Sequence, residues 1–147
     1  MSKNLRAFRC GANILGYNID SNNYVMTCAW AMMIDYDKIA MLIGAQSITG
    51  QNLKKDMKVG VSSLALGQES IAKIIGSTHS DEVDKLKDIS YENKDGMILI
   101  NDSKVCMECK VLEIKNIEED YLVFLKVENF KENNELEFLD GYNPQLY

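Results

Sequence analysis

Residues 44–55 read GAQSITGQNLKK and gather the residue types that hold an anion. Gln46, Ser47 and Thr49 carry side-chain donors, Gly44 and Gly50 allow close backbone approach, and Lys54 and Lys55 add positive charge a turn later. The stretch follows the apolar run 39–43, which reads as a buried strand, and leads into Leu53 and Met57 at helical spacing. A strand that turns into a helix leaves free backbone N–H groups and a positive dipole end at the junction. Two readings stand on these residues: a seat for a phosphate, or a polar turn in which Thr49 is only the helix N-cap.

Other chemistry is sparse. Cys106-Met-Glu-Cys109 has the CxxC spacing of zinc and redox sites. A zinc ribbon needs a second close pair of ligands, and Cys10 and Cys28 stand far apart. A redox CxxC opens a helix, whereas residues 104–114 read as a strand, on which positions three apart face opposite ways. We expect four reduced, structural cysteines and no metal site. His79 is the only histidine, and there is no GxSxG to seat a nucleophile. No catalytic side chain is assigned, and a chain this poor in side-chain chemistry would borrow a cofactor.

The elements that must position these residues are mostly strands. Residues 11–18 read as a short strand and Ser21-Asn22-Asn23 as a turn. The apolar run 24–34, with Trp30 inside it, reads as one strand that pairs through Asp35-Tyr36-Asp37 with a strand over 38–44. A strand is predicted over 58–66, a helix over 68–76 from the Ile71, Ile74, Ile75 stripe, and a second short helix over 81–86 capped by Ser80. Strands follow at 97–100, 104–116 and 121–130, the last two joined by the acidic turn 117–120. Strands joined by tight turns make the chain mainly β, an antiparallel barrel or sandwich with a few short helices. No GxGxxG is present for a Rossmann site.

The chain has 147 residues, 46% of them apolar, which suits a single domain over 1–147 with a real core. A net charge of −6 argues against nucleic acid as a partner, since phosphate contacts need clustered Lys and Arg. No apolar run approaches the roughly 20 residues of a membrane span. The N-terminus shows no apolar h-region, so a cytoplasmic location is expected.

Three segments, taken in order, resemble the flavin reductase-like family of FMN-binding split β-barrels. Tyr24-Val-Met-Thr-Cys-Ala-Trp-Ala-Met-Met-Ile34 is similar to the family strand whose backbone lines the flavin. Gly44-Ala-Gln-Ser-Ile-Thr-Gly-Gln-Asn-Leu53 is similar to its phosphate loop and following helix. Gly76-Ser-Thr-His-Ser-Asp-Glu-Val-Asp-Lys-Leu86 is similar to its SGxxxDKF segment. The likeness covers nearly the whole chain, and the order and spacing of the segments carry it. The chain departs from many relatives at Asp37-Lys38, where Pro-Pro is usual, and at Ala45-Gln46-Ser47, where an arginine is common.

The resemblance implies an antiparallel, Greek-key split β-barrel that binds FMN and takes electrons from NAD(P)H. It also implies a homodimer with FMN at the interface and a small-molecule or protein electron acceptor. Carried over by residue, Thr27, Cys28, Ala29 and Trp30 face the isoalloxazine and ribityl, and Gln46, Ser47, Thr49 and Gly50 hold the phosphate. His79 lies near the exposed flavin face or the subunit boundary. Lys85 either reaches the cofactor region or pairs with Asp81 or Asp84 on a helix surface. Trp30 and the Met32-Met33 pair serve dimer packing. The implied activity is that of an NAD(P)H-dependent flavin reductase; the alternative is a non-enzymatic flavin-binding electron carrier.

Overall fold

The structure is a computed structural model that describes residues 5–44, 47–77 and 84–142. Among these lie nine strands and two short helices. The strands are β1 (Asn13–Ile19), β2 (Asn22–Cys28), β3 (Ala31–Asp35), β4 (Lys38–Gly44), β5 (Lys58–Ser63), β6 (Tyr91–Lys94), β7 (Met97–Ile100), β8 (Val105–Ile117) and β9 (Asp120–Glu132). The helices are α1 (Ile48–Gln51) and α2 (Glu69–Gly76).

One antiparallel sheet runs β3-β4-β9-β8-β5-β1-β7-β6, and β2 joins it by pairing with β1. Long β8 and β9 form the central hairpin, with Val105 opposite Glu132 and Ile117 opposite Asp120. Their alternation follows the pleat: Cys109 and Val111 on β8 and Val123 and Leu125 on β9 are buried in one apolar cluster with Val59, Val61 and Met41. A second cluster lies under α2, where Ala72 and Ile75 meet Ile14, Val25, Leu64 and Ile98. Gly60 permits a close crossing of β5 by β7. A Cβ there would stand 2.0 Å from the Ile98 carbonyl oxygen.

Several sequence expectations shift. The run 24–34 is not one strand. It breaks at Ala29 and Trp30, because β2 pairs with β1 whereas β3 pairs with β4. The Ala31 N–H donates to the Ala29 carbonyl at 2.9 Å and closes the corner. The first turn falls on Asp20 and Ser21, both at positive φ, rather than on 21–23. Strand β6 was not anticipated from Tyr-Glu-Asn-Lys, whose four residues are all exposed. In the predicted helix 81–86, residues 81–83 lie outside the described residues, and Lys85 and Leu86 sit in a turn.

Cys106 and Cys109 lie on one strand and face opposite ways. Cys109 is fully buried in the main cluster, whereas the Cys106 thiol donates to the Ile100 carbonyl at 3.3 Å. Burial raises the Cys106 thiol and pushes that of Cys109 up to about 12, so both stay protonated at neutral pH. Incubation with oxidised glutathione at pH 7 should therefore produce no Cys106–Cys109 disulfide by mass spectrometry. An internal disulfide formed in the folded protein would overturn the assignment.

Candidate functional site

Strand β4 runs out at Gly44, and Ser47 opens α1 after it. The Ser47 N–H donates back to the Gly44 carbonyl at 3.0 Å. Its hydroxyl oxygen accepts from the Gly50 N–H at 3.2 Å, so Ser47, and not Thr49, is the N-cap. The helix is a single turn rather than the longer one that Leu53 and Met57 suggested, since it ends at Gln51 with Asn52 as C-cap.

Thr49 points inward. It is 2% exposed, and its hydroxyl donates to the Val25 carbonyl at 3.2 Å. The Tyr17 hydroxyl, from the fully buried inner face of β1, donates to the Thr49 carbonyl. Gly50 is buried too: a Cβ there would meet the Ile43 side chain at 2.7 Å. The turn is thus pinned onto β2 and β4 from below. The Ser47 proton is weakly engaged. Its hydroxyl meets the Met26 thioether at 3.6 Å, and a thioether is a poor acceptor. Gln46 lies outside the described residues.

Strand β2 forms the wall beside this turn. Thr27 is buried, and its hydroxyl donates to the Ala72 carbonyl of α2 at 2.8 Å. Cys28 is buried and donates to the Leu42 carbonyl at 3.4 Å. Burial pushes its thiol up to about 12, so it is no nucleophile at neutral pH. Ala29 is buried at the corner. Trp30 leaves the core and is 57% exposed, with its ring edge against Tyr142 at 6.4 Å. The wall therefore offers backbone and an exposed indole rather than reactive side chains.

Asn13 and Arg6 escaped the sequence reading, and Lys85 was placed by it only between two alternatives. Lys85 is 8% exposed, and its ammonium donates to the Val25 carbonyl at 3.0 Å and to the Ile75 carbonyl at 2.8 Å. It underpins β2 and the last turn of α2, and does not lie on a helix surface. Nothing local distinguishes it from a solvated lysine. Asn13 donates to the Cys28 carbonyl at 3.1 Å, and its position on a predicted strand could have raised it as a candidate. Arg6 reaches this side through Tyr142, its guanidinium 5.0 Å from the ring centroid. His79 lies outside the described residues.

This donor set fits a phosphate-bearing planar group. A capping hydroxyl with a redirectable proton stands at a helix start. Beside it run a strand wall of backbone groups and an exposed indole.

Comparisons with known proteins bear on the fold and the family. The FMN-binding protein of Thermus thermophilus, solved with bound p-hydroxybenzaldehyde, is 18% identical, aligned over 100% of this chain and 89% of that one, with a TM-score of 0.88. The NADH:FAD oxidoreductase of Streptomyces globisporus is 18% identical over 89% of this chain and 80% of that one, at 0.82. Flavoredoxin of Methanosarcina acetivorans is 11% identical over 97% and 90%, at 0.80. At such identities the likeness establishes the fold, a mainly antiparallel split-barrel type. No curated protein matches by sequence. The profile of the flavin reductase like domain matches residues 7–145, nearly the whole length, and the chain belongs to the flavin reductase-like family.

Proposed function

We propose that this chain is an FMN-binding flavoprotein that acts as an NAD(P)H-dependent flavin reductase. The observation that carries the reading is the Ser47 turn set against β2, with the capping hydroxyl spending its proton only on the Met26 thioether. Bound FMN would supply reversible hydride chemistry, which no side chain of the site provides. Ser47 would hold the phosphate, with Gln46 beside it. The backbone of Thr27, Cys28 and Ala29 would line the ring, and Trp30 would cover one edge from solvent. Thr49, Gly50, Tyr17 and Lys85 would act from below by fixing the turn and β2. His79 would stand near the open face that a nicotinamide approaches. The domain spans 1–147 in this reading, and the location is cytoplasmic. No helix among the described residues is long and apolar enough to cross a membrane.

An absorbance spectrum of the purified protein tests the cofactor. Bound oxidised flavin should give a visible band that bleaches on anaerobic addition of NADH or NADPH. A colourless protein that neither retains nor takes up added FMN would remove the reading. Bound FMN that neither nicotinamide reduces would favour the electron-carrier alternative.

The reading includes a homodimer with FMN at its interface. Strand β3 leaves Met32, Met33 and Ile34 exposed, the first by 64%, and Trp30 is exposed beside them. A stripe of this kind marks an interaction surface. Sedimentation should give a dimer, and Ile34→Glu should shift it to monomer by placing a charge in the contact. A wild type that sediments as monomer with FMN fully bound would refute the dimer.

A further inference from the structure

A cavity of about 400 Å³ opens between β3 and the inner faces of β5, β8 and β9. None of the site residues foreseen from the sequence lines it. Its floor is apolar and buried: Ile39 is 4% exposed and Val61 is 1%. Its walls are Met32, Met33 and Met107, and Phe130 and Phe138 stand at the rim. We propose that this cavity is a binding site for an uncharged, ring-bearing small molecule, independent of whether flavin binds.

The size matches the lower range of small-ligand pockets, roughly 300–1,000 Å³. The walls select the chemistry. Three thioethers and two phenyl rings favour a flat aromatic or alicyclic body, because thioethers are adaptable and pack well on rings. Charge is disfavoured. The one charged lining residue, Glu132, is already paired with Lys104 at 3.6 Å. Stripping water from an ion against apolar walls is costly.

The floor also carries one fixed polar point. Asn13 is 6% exposed and lines the cavity with Ser63. Its amide donates to the Cys28 carbonyl at 3.1 Å, and its carbonyl oxygen accepts from the Ser63 hydroxyl at 2.9 Å. A primary amide has two N–H groups and two lone pairs, so each end of Asn13 keeps capacity beyond these bonds. One carbonyl or hydroxyl on the ligand can use it, which orients a ring within reach of the β2 wall.

The test is calorimetric titration of the full chain with naphthol, and with naphthalene sulfonate as its charged counterpart. The expected result is saturable binding of naphthol at one site per chain, with the sulfonate at least tenfold weaker. Val127→Phe fills the cavity from β9 and should weaken naphthol at least tenfold. Met33→Ala, in the wall, should weaken it about threefold and keeps the test decisive if Val127→Phe fails to fold. The measurements run with and without FMN, so a colourless protein that still binds naphthol refutes the flavin reading alone. Equal affinity for the two probes, or no effect of a folded cavity variant, would overturn the site. So would naphthol binding seen only in the Ile34→Glu monomer, which would assign the cavity to a second copy of the chain.

Discussion

Lys85→Met should lower the unfolding free energy by roughly 3 kcal/mol, the scale of lost charge-assisted hydrogen bonds in a buried site. The ammonium is the donor to both the Val25 and Ile75 carbonyls. The Ile75 carbonyl belongs to the last turn of α2, where a cation also offsets the negative end of the helix dipole. Methionine matches the stem in length and supplies no proton, so both bonds are lost without a large cavity. The relief of no longer burying a charge offsets part of the loss. For a chain of this length the change corresponds to a fall of about 6–12 °C in melting temperature. Urea titration and a thermal melt read it directly. Lys85→Arg, which keeps donors and charge but changes their geometry, should be less damaging. Because Val25 lies on the strand that walls the candidate site, hydrogen exchange on β2 should quicken in Lys85→Met. A variant within 0.5 kcal/mol of wild type, with β2 exchange unchanged, would show that Lys85 supports nothing there.

Ser47→Ala should weaken FMN by about tenfold to a hundredfold and leave riboflavin, which lacks the phosphate, nearly unaffected. The figure corresponds to one charge-assisted hydrogen bond of roughly 1.5–3 kcal/mol. The same substitution removes the helix cap and costs about 1 kcal/mol of stability. Thr49→Ala should behave differently, although the resemblance implied both hydroxyls on the phosphate. The Thr49 proton is given to the Val25 carbonyl, inside the fold. Its loss should lower stability by roughly 1 kcal/mol and weaken both flavins to the same degree. Titrating the two flavins into the two variants, beside melting curves, separates these roles. Selective loss of FMN in Thr49→Ala but not in Ser47→Ala would reverse the assignment. Equal weakening of both flavins by Ser47→Ala would leave residue 47 a cap and nothing more.

The amino-acid sequence by itself determined the strand-rich architecture. Alternation over 104–116 and 121–130, with an acidic turn between them, pointed to a hairpin, and the structure forms it with strands over Val105–Ile117 and Asp120–Glu132. The same period of two placed Cys106 and Cys109 on opposite faces. The order of three short segments was enough to identify the family. Tertiary structure alone decided where hydroxyls and charges point. The break at Ala29 and Trp30 follows from β2 and β3 having different partners, which an unbroken apolar run does not encode. Ser47 and Thr49 are two residues apart in a polar turn. Which of them caps and which faces the core depends on β2 supplying the Val25 carbonyl beneath it. Lys85 is buried where the Val25 and Ile75 carbonyls accept from its ammonium, a convergence that no local pattern shows. The cavity beneath β3 exists only where strands remote in sequence enclose it, so no local pattern of residues announces it.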